Sequence, residues 1–170
     1  MINTSIRRAL VLSSLVLGAT TLFSAKAMAN TSGPVNLSGT VASTLALVIN
    51  TTGPATALPL STATQQIVQV AGLAISTNNE QGYTLTATSG NLTRTGGTSI
   101  AYQVTTTAAG IPAVTGDFTV PSGTPYTVGS TAANAANTNG RALHIMYTPA
   151  ALQDPGEYLG TINLTVADKL

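Results

Sequence analysis

Cysteine and tryptophan are absent from this 170-residue chain, and it contains only two phenylalanines and one histidine. Without cysteine the chain has neither a disulfide nor a thiolate nucleophile. One histidine and no cysteine cannot supply a zinc site. Charged residues make up only 6% of the chain, so the basic surface that binds nucleic acid is missing as well. Stability must therefore come from buried apolar groups, from strand pairing or from a neighbouring chain.

The first 29 residues have the pattern of an export signal. Arg7 and Arg8 precede an apolar stretch over 9–23, and Ala27-Met28-Ala29 forms a small-x-small cleavage site. The apolar stretch is too short and too interrupted for a membrane-spanning helix. We therefore predict a cleaved signal peptide at 1–29 and a mature chain that begins at Asn30, with a net charge of −2.

The mature chain has the composition of an all-β protein. It contains 27 threonines, and its valines and isoleucines also favour strands. Seven to nine short apolar or alternating segments are separated by Gly, Pro, Asn and Thr turns, which predicts an immunoglobulin-like antiparallel β-sandwich. An up-and-down barrel is the alternative. The segments predicted as strands are 35–41, 45–49, 66–76, 83–88, 99–105, 117–120, 126–128, 142–147 and 158–166.

Turn residues refine this prediction. The run 78–82 is typical of a hairpin turn, so 66–88 is predicted to be a β-hairpin, with a bulge at Gly72. The run 132–140 lacks an apolar stripe and is predicted to be a loop. Asp154-Pro155-Gly156 is predicted to start the long closing strand.

Few residues suggest chemistry. His144 alternates with apolar neighbours, which predicts a histidine on the solvent face of a strand rather than a catalytic base. Each carboxylate lies in or beside a predicted turn, so we expect no enzyme, no cofactor and no metal site; these carboxylates are Glu80, Asp117, Asp154, Glu157 and Asp168. Among the tyrosines, packing roles are expected for Tyr102, Tyr147 and Tyr158, and exposure for Tyr83 and Tyr126.

The end of the chain, Pro155-Gly156-x-Tyr158-x-Gly160-x-Ile162-x-Leu164-x-Val166, resembles the closing strand of bacterial chaperone–usher pilins. The likeness is strongest to the cysteine-free colonization-factor (alternate) group, and spore coat protein U-like pilins are also similar. The start of the mature chain resembles their N-terminal donor segment, and 78–85 is similar to their hairpin. In two respects the chain departs from many pilins: it has no disulfide, and it continues to Leu170 instead of finishing on a penultimate tyrosine.

This resemblance implies an incomplete sandwich that is completed by a donor strand from another copy. It divides the chain into the signal peptide 1–29, an N-terminal extension 30–41 and a pilin-like domain 42–170. The donor side chains would be Val35, Leu37, Gly39 and Val41. The acceptor groove would be lined by Ile162, Leu164, Val166, Leu143, Ile145 and Tyr147. The implied partners are other copies or related pilins, a periplasmic chaperone and an outer-membrane usher, on the way to a cell-surface fimbrium.

Two other functions stay open at the level of sequence. A self-contained secreted β-sandwich that binds carbohydrate or a surface polymer would share the same composition. A secreted hydrolase would need His144, the single histidine, in its mechanism.

Overall fold

The computed structural model describes residues 33–130 and 140–169. Residues 33–39 belong to the first of two units, contain neither a helix nor a strand and are all exposed. The second unit begins at Thr40 and is all-β. The predicted signal peptide, and the loop predicted at 132–140 apart from Gly140, lie outside the described residues.

In the described part of the chain, eight strands form two antiparallel sheets with a β-sandwich-like arrangement. The larger sheet has the order β1-β2-β7-β5-β4 and the smaller one the order β6-β3-β8. The strands are β1 Leu45–Thr51, β2 Gln66–Thr77, β3 Tyr83–Thr88, β4 Asn91–Leu92, β5 Ile100–Ala108, β6 Pro125–Gly129, β7 Arg141–Tyr147 and β8 Asn163–Asp168. Short 3₁₀ turns cover Gly53–Thr56 and Thr115–Asp117.

Alternating apolar side chains from both sheets build the core. Leu73 and Ile75 of β2 and Leu85 of β3 are almost fully buried, as are Val104 of β5 and Ile145 of β7. On β3 every second residue is buried and the residues between are half-buried, the period expected of a strand with one inner face. Hydrophobic burial across the two sheets therefore stabilises the fold.

The predicted 66–88 hairpin is wrong, because β2 and β3 belong to different sheets. β2 pairs with β1 and β7, whereas β3 pairs with β6 and β8. The turn at 78–82 carries the chain from one sheet to the other, so that Tyr83 and Leu85 face the shared core. The bulge also differs: the β2 register shifts between Gln69 and Ala71, not at Gly72.

The closing strand is shorter than its alternation predicts. Leu159 forms an isolated antiparallel bridge with Thr93, beside β4 of the larger sheet, and the strand paired with β3 begins only at Asn163. The alternating run thus pairs first with the larger sheet and then with the smaller one. Two other predicted strands, 35–41 and 117–120, are not strands in the structure.

Candidate functional site

β1 and β8 each have a strand partner on one side only. In residues 33–130 and 140–169, β1 pairs with β2 alone and β8 with β3 alone. The outer edge of each strand therefore presents backbone N–H and C=O groups that no described strand pairs. Such edges are templates for an added strand.

A cavity of about 290 Å³ lies between these two strands. One wall is formed by Ile49 and Thr51 of β1, and the opposite wall by residues 160–162, which precede β8, together with Leu164 of β8. The floor comes from the core, and includes Val70, Tyr102, Leu143 and Ile145. We call this cavity the edge groove. Its wall is mostly apolar, which suits an apolar strand.

The strands beside the edge groove are incompletely covered. Val48 and Ile49 are neighbours in β1 and point to opposite faces, yet they are 50% and 48% exposed. In β8 the inner residues Leu164 and Val166 are only half-buried, whereas the equivalent positions of β3 are fully buried. Side chains of this kind gain stability when a further element covers them.

The structure separates the six predicted acceptor residues, and four of them line the edge groove. Ile162, Leu164, Leu143 and Ile145 line the edge groove. Val166 packs against the core opposite Leu85 but is not part of the groove wall. Tyr147 is buried at the end of β7 and lines a different cavity; burial raises the pKa of its phenol to about 12.

Sequence reasoning missed Ile49, Val70 and Tyr102 as groove residues. One signal for Ile49 was present in the apolar run Leu45–Ile49, which does not alternate. A strand that is apolar on both faces requires cover on both. Tyr102 carried no comparable signal, because its place in the groove depends on the packing of β5 against the segment before β8.

All four predicted donor residues are exposed. Val35, Leu37 and Val41 are 83%, 91% and 90% exposed, and a side chain at Gly39 would meet no atom within 4 Å. Three large apolar residues in seven positions are thus left in water. That is an unfavourable arrangement unless they are buried against another surface.

The expectation of a solvent-facing His144 is wrong, since only 4% of its surface is exposed. The residue does point away from the core, but residues 110–113 lie beside it over the outer face of β7. Within the described residues, Nδ1 of His144 has no hydrogen-bond partner. Burial lowers the pKa of this imidazole, against the opposing effect of the Asp117 charge.

Tyr83 is also buried, at 1% exposure, and Tyr126 is half-buried, so the exposure expected of these tyrosines is not observed. Tyr83 starts β3 directly after the chain crosses to the smaller sheet, which places its ring in the core. No exposed aromatic pair forms from them.

Neither a metal-binding cluster nor a membrane-spanning helix occurs among the described residues. No group of three or more His, Cys, Asp or Glu side chains suited to a metal ion occurs in the described parts of the chain. None of the helices in 33–130 or 140–169 has the length and apolar character needed to cross a bilayer. No protein-family model, curated protein or solved structure matches the chain.

Proposed function

We propose that this chain is a structural, non-catalytic subunit of a bacterial surface fibre, a pilus or fimbria that supports adhesion or biofilm formation. The observation that carries the proposal is the edge groove, an apolar cavity between two strands that each have a single described partner. A strand inserted there would pair with backbone and bury side chains in one step. This is the physical basis of donor-strand exchange.

The extension 30–41 is the proposed donor. Its alternating Val35, Leu37 and Val41 are exposed, and transfer of each to an apolar site would contribute about 1.5–3 kcal/mol. Ile49 and Leu164 on the groove wall would be covered by the same event. The segment and the groove would both bury apolar surface that is now exposed, and this burial favours their association.

Donation from one copy to the next is a head-to-tail contact. Contacts of this type do not close on themselves, so they build a fibre instead of a dimer. Before assembly the open groove would be an aggregation hazard. We therefore propose that a periplasmic chaperone occupies it after export through the 1–29 segment, and that an outer-membrane usher directs the exchange at the cell surface.

Deletion of residues 30–41 tests this proposal. The full chain, produced with its leader and the cognate export genes, is expected to form fibres visible by electron microscopy. The deletion variant is expected to fold and to stay chaperone-bound without polymerising. Deletion of 30–34 alone is the matched control, because it removes the polar lead-in and keeps Val35 to Val41.

Fibres from the 30–41 deletion would overturn the proposal. A full chain that is a stable monomer without any chaperone would also contradict it. That outcome would instead favour a self-contained secreted β-sandwich that binds carbohydrate or a surface polymer.

A further inference from the structure

The segment Ala42–Thr44, between the extension and β1, is tied to the end of β2 by the backbone and the side chain of Asn78. The Thr44 N–H donates to Oδ1 of Asn78 at 2.8 Å, and Nδ2 of Asn78 donates to the Ala42 carbonyl at 2.9 Å. The backbone N–H of Asn78 also donates to the Thr44 carbonyl at 3.2 Å. Asn78 thereby continues the β1–β2 ladder beyond its last pair, Leu45 with Thr77.

The same segment is tied to the end of β8. The hydroxyl of Ser43 donates to Oδ2 of Asp168, and the Thr77 hydroxyl donates to Oδ1 of Asp168 at 2.8 Å. Nδ2 of Asn79 donates to the Lys169 carbonyl at 2.6 Å, which holds the end of β8 in place. We call Ser43, Asn78 and Asp168 the clasp. It joins the segment before β1 to the end of β8, and it lies at the end of the two strands that is farther from the edge groove.

The clasp matters because the donor run could pair with β1 of its own chain instead of with another copy. The donor run 35–41 and strand β1, 45–51, are both seven residues long, and only residues 42–44 separate them. Three residues are enough for a hairpin loop. Such a hairpin would add the chain's own extension to the free edge of β1 and fill its own groove.

Local pairing would compete strongly with assembly. A strand tethered through a short loop reaches its partner at an effective concentration of the order of millimolar. Folding back, however, requires a reversal at Ala42–Thr44, which the contacts with Asn78 hold extended. The returning strand would also have to pass between β1 and β8 where Ser43 and Asp168 are hydrogen-bonded.

We infer that the clasp prevents self-pairing: it keeps Ala42–Thr44 extended, so that 35–41 is available to the groove of a second copy of this chain. The inference rests on the proposed function, since it concerns the same groove and donor. It assigns to Ser43, Asn78 and Asp168 a positioning role. The groove wall at Ile49 and Leu164 remains open to a strand from outside, because the clasp lies at the other end of β1 and β8.

A pair of introduced cysteines can report which groove the donor enters. Hairpin pairing of Val41 with Leu45 would bring Leu37 opposite Ile49, and the sequence has no other cysteine to confuse the result. The full chain carrying Leu37→Cys and Ile49→Cys is exported, purified, unfolded and refolded under oxidising conditions. Non-reducing electrophoresis then separates monomers with an internal disulfide from disulfide-linked multimers.

With the clasp intact, we expect mostly linked multimers. With Ser43→Ala and Asn78→Ala added, the ratio of internal to intermolecular disulfide is expected to rise about tenfold or more, as expected for the loss of one or two net hydrogen bonds. Asp168→Asn is a milder variant that keeps the side-chain shape and should shift the ratio the same way. Glu80→Ala, an exposed change in the adjacent turn, is the matched control and should leave the ratio unchanged.

A failure of the clasp inference and a failure of the proposed function would give different results. If the intact protein forms multimers and the clasp variants give the same ratio, the clasp inference is overturned and the proposed function stands. If the intact protein forms no intermolecular disulfide at any concentration, donor exchange itself is contradicted, and the role assigned to the clasp fails with it.

Discussion

The phenol hydroxyl of Tyr102 donates a hydrogen bond of 2.7 Å to the backbone carbonyl of Thr161. Tyr102 belongs to β5 of the larger sheet, whereas Thr161 lies just before β8 of the smaller one. The bond therefore joins the two sheets, and both residues line the edge groove. It positions the start of the groove wall on which an incoming strand would dock.

Replacing Tyr102 with phenylalanine should remove this bond and keep the ring. We expect the free energy of unfolding to fall by about 1 kcal/mol, because the Thr161 carbonyl loses its partner. Tyr147→Phe is the matched control, since the Tyr147 hydroxyl lies 3.4 Å from the Pro59 carbonyl and makes a weaker bond. Urea unfolding followed by circular dichroism measures both. Equal losses from the two variants would contradict a special role for Tyr102.

Gly160 lies where the groove wall approaches β4 most closely. A Cβ there would come within 2.9 Å of Leu92 Cδ2, 3.2 Å of the Asn91 carbonyl oxygen and 3.3 Å of Tyr102 Cε1. Gly160→Ala should therefore destabilise the fold by about 1–3 kcal/mol through overpacking. Gly53→Ala, where a Cβ meets nothing within 4 Å, should change the free energy of unfolding by less than about 0.5 kcal/mol. A neutral Gly160→Ala would show that β4 and the groove wall can separate.

Alternation in the sequence was enough to predict most of the strands but not their pairing. The runs that became β2, β3 and β7 were located to within one or two residues, because β3 and β7 alternate in sequence with a period of two and β2 is an apolar run that ends at a turn. Period two identifies the inner face and carries no information on the neighbouring strand. That is why 66–88 looked like a hairpin although Tyr83 begins a strand of the other sheet.

The burial of His144 is a second feature that the sequence did not predict. Its position opposite Leu143 and Ile145 correctly placed it on the outer face of β7. Its burial depends on Ile111 and its neighbours, which belong to a segment with no periodicity. Cover supplied by an irregular loop leaves no pattern in the strand that it covers. Tyr102 was not predicted as a groove residue for a related reason, since only tertiary packing brings it to the groove.

Burial of His144 predicts a pH dependence of stability. Its folded-state pKa is lowered, so below the ordinary value of about 6.5 the unfolded chain binds a proton that the folded protein excludes. The free energy of unfolding should therefore fall as the pH drops from 7 toward 5.5, by up to about 1.4 kcal/mol per pH unit. Denaturant titrations at a series of pH values measure this slope.

His144→Gln is the matched variant for that experiment, because it removes the only histidine. Its unfolding free energy should be flat over the same range. Hydrogen bonds from Ser43 and then Thr77 lower the pKa of Asp168, so its contribution is present above about 3.8 and is lost only at lower pH. Parallel curves for the two proteins between pH 7 and 5.5 would show that the imidazole does not titrate on unfolding in that range.

A single charge introduced into the extension tests whether the donor side chains are buried in a groove when copies associate. Leu37→Asp places a carboxylate at a position that faces the apolar groove if 35–41 inserts as a strand, and burying it there would cost several kcal/mol. Ser38→Asp carries the same charge one residue further on, on the opposite face. We expect Leu37→Asp to abolish high-mass species in size-exclusion chromatography and Ser38→Asp to retain them. Equal loss from both would point to general charge repulsion, and equal retention would mean that Leu37 does not enter a groove.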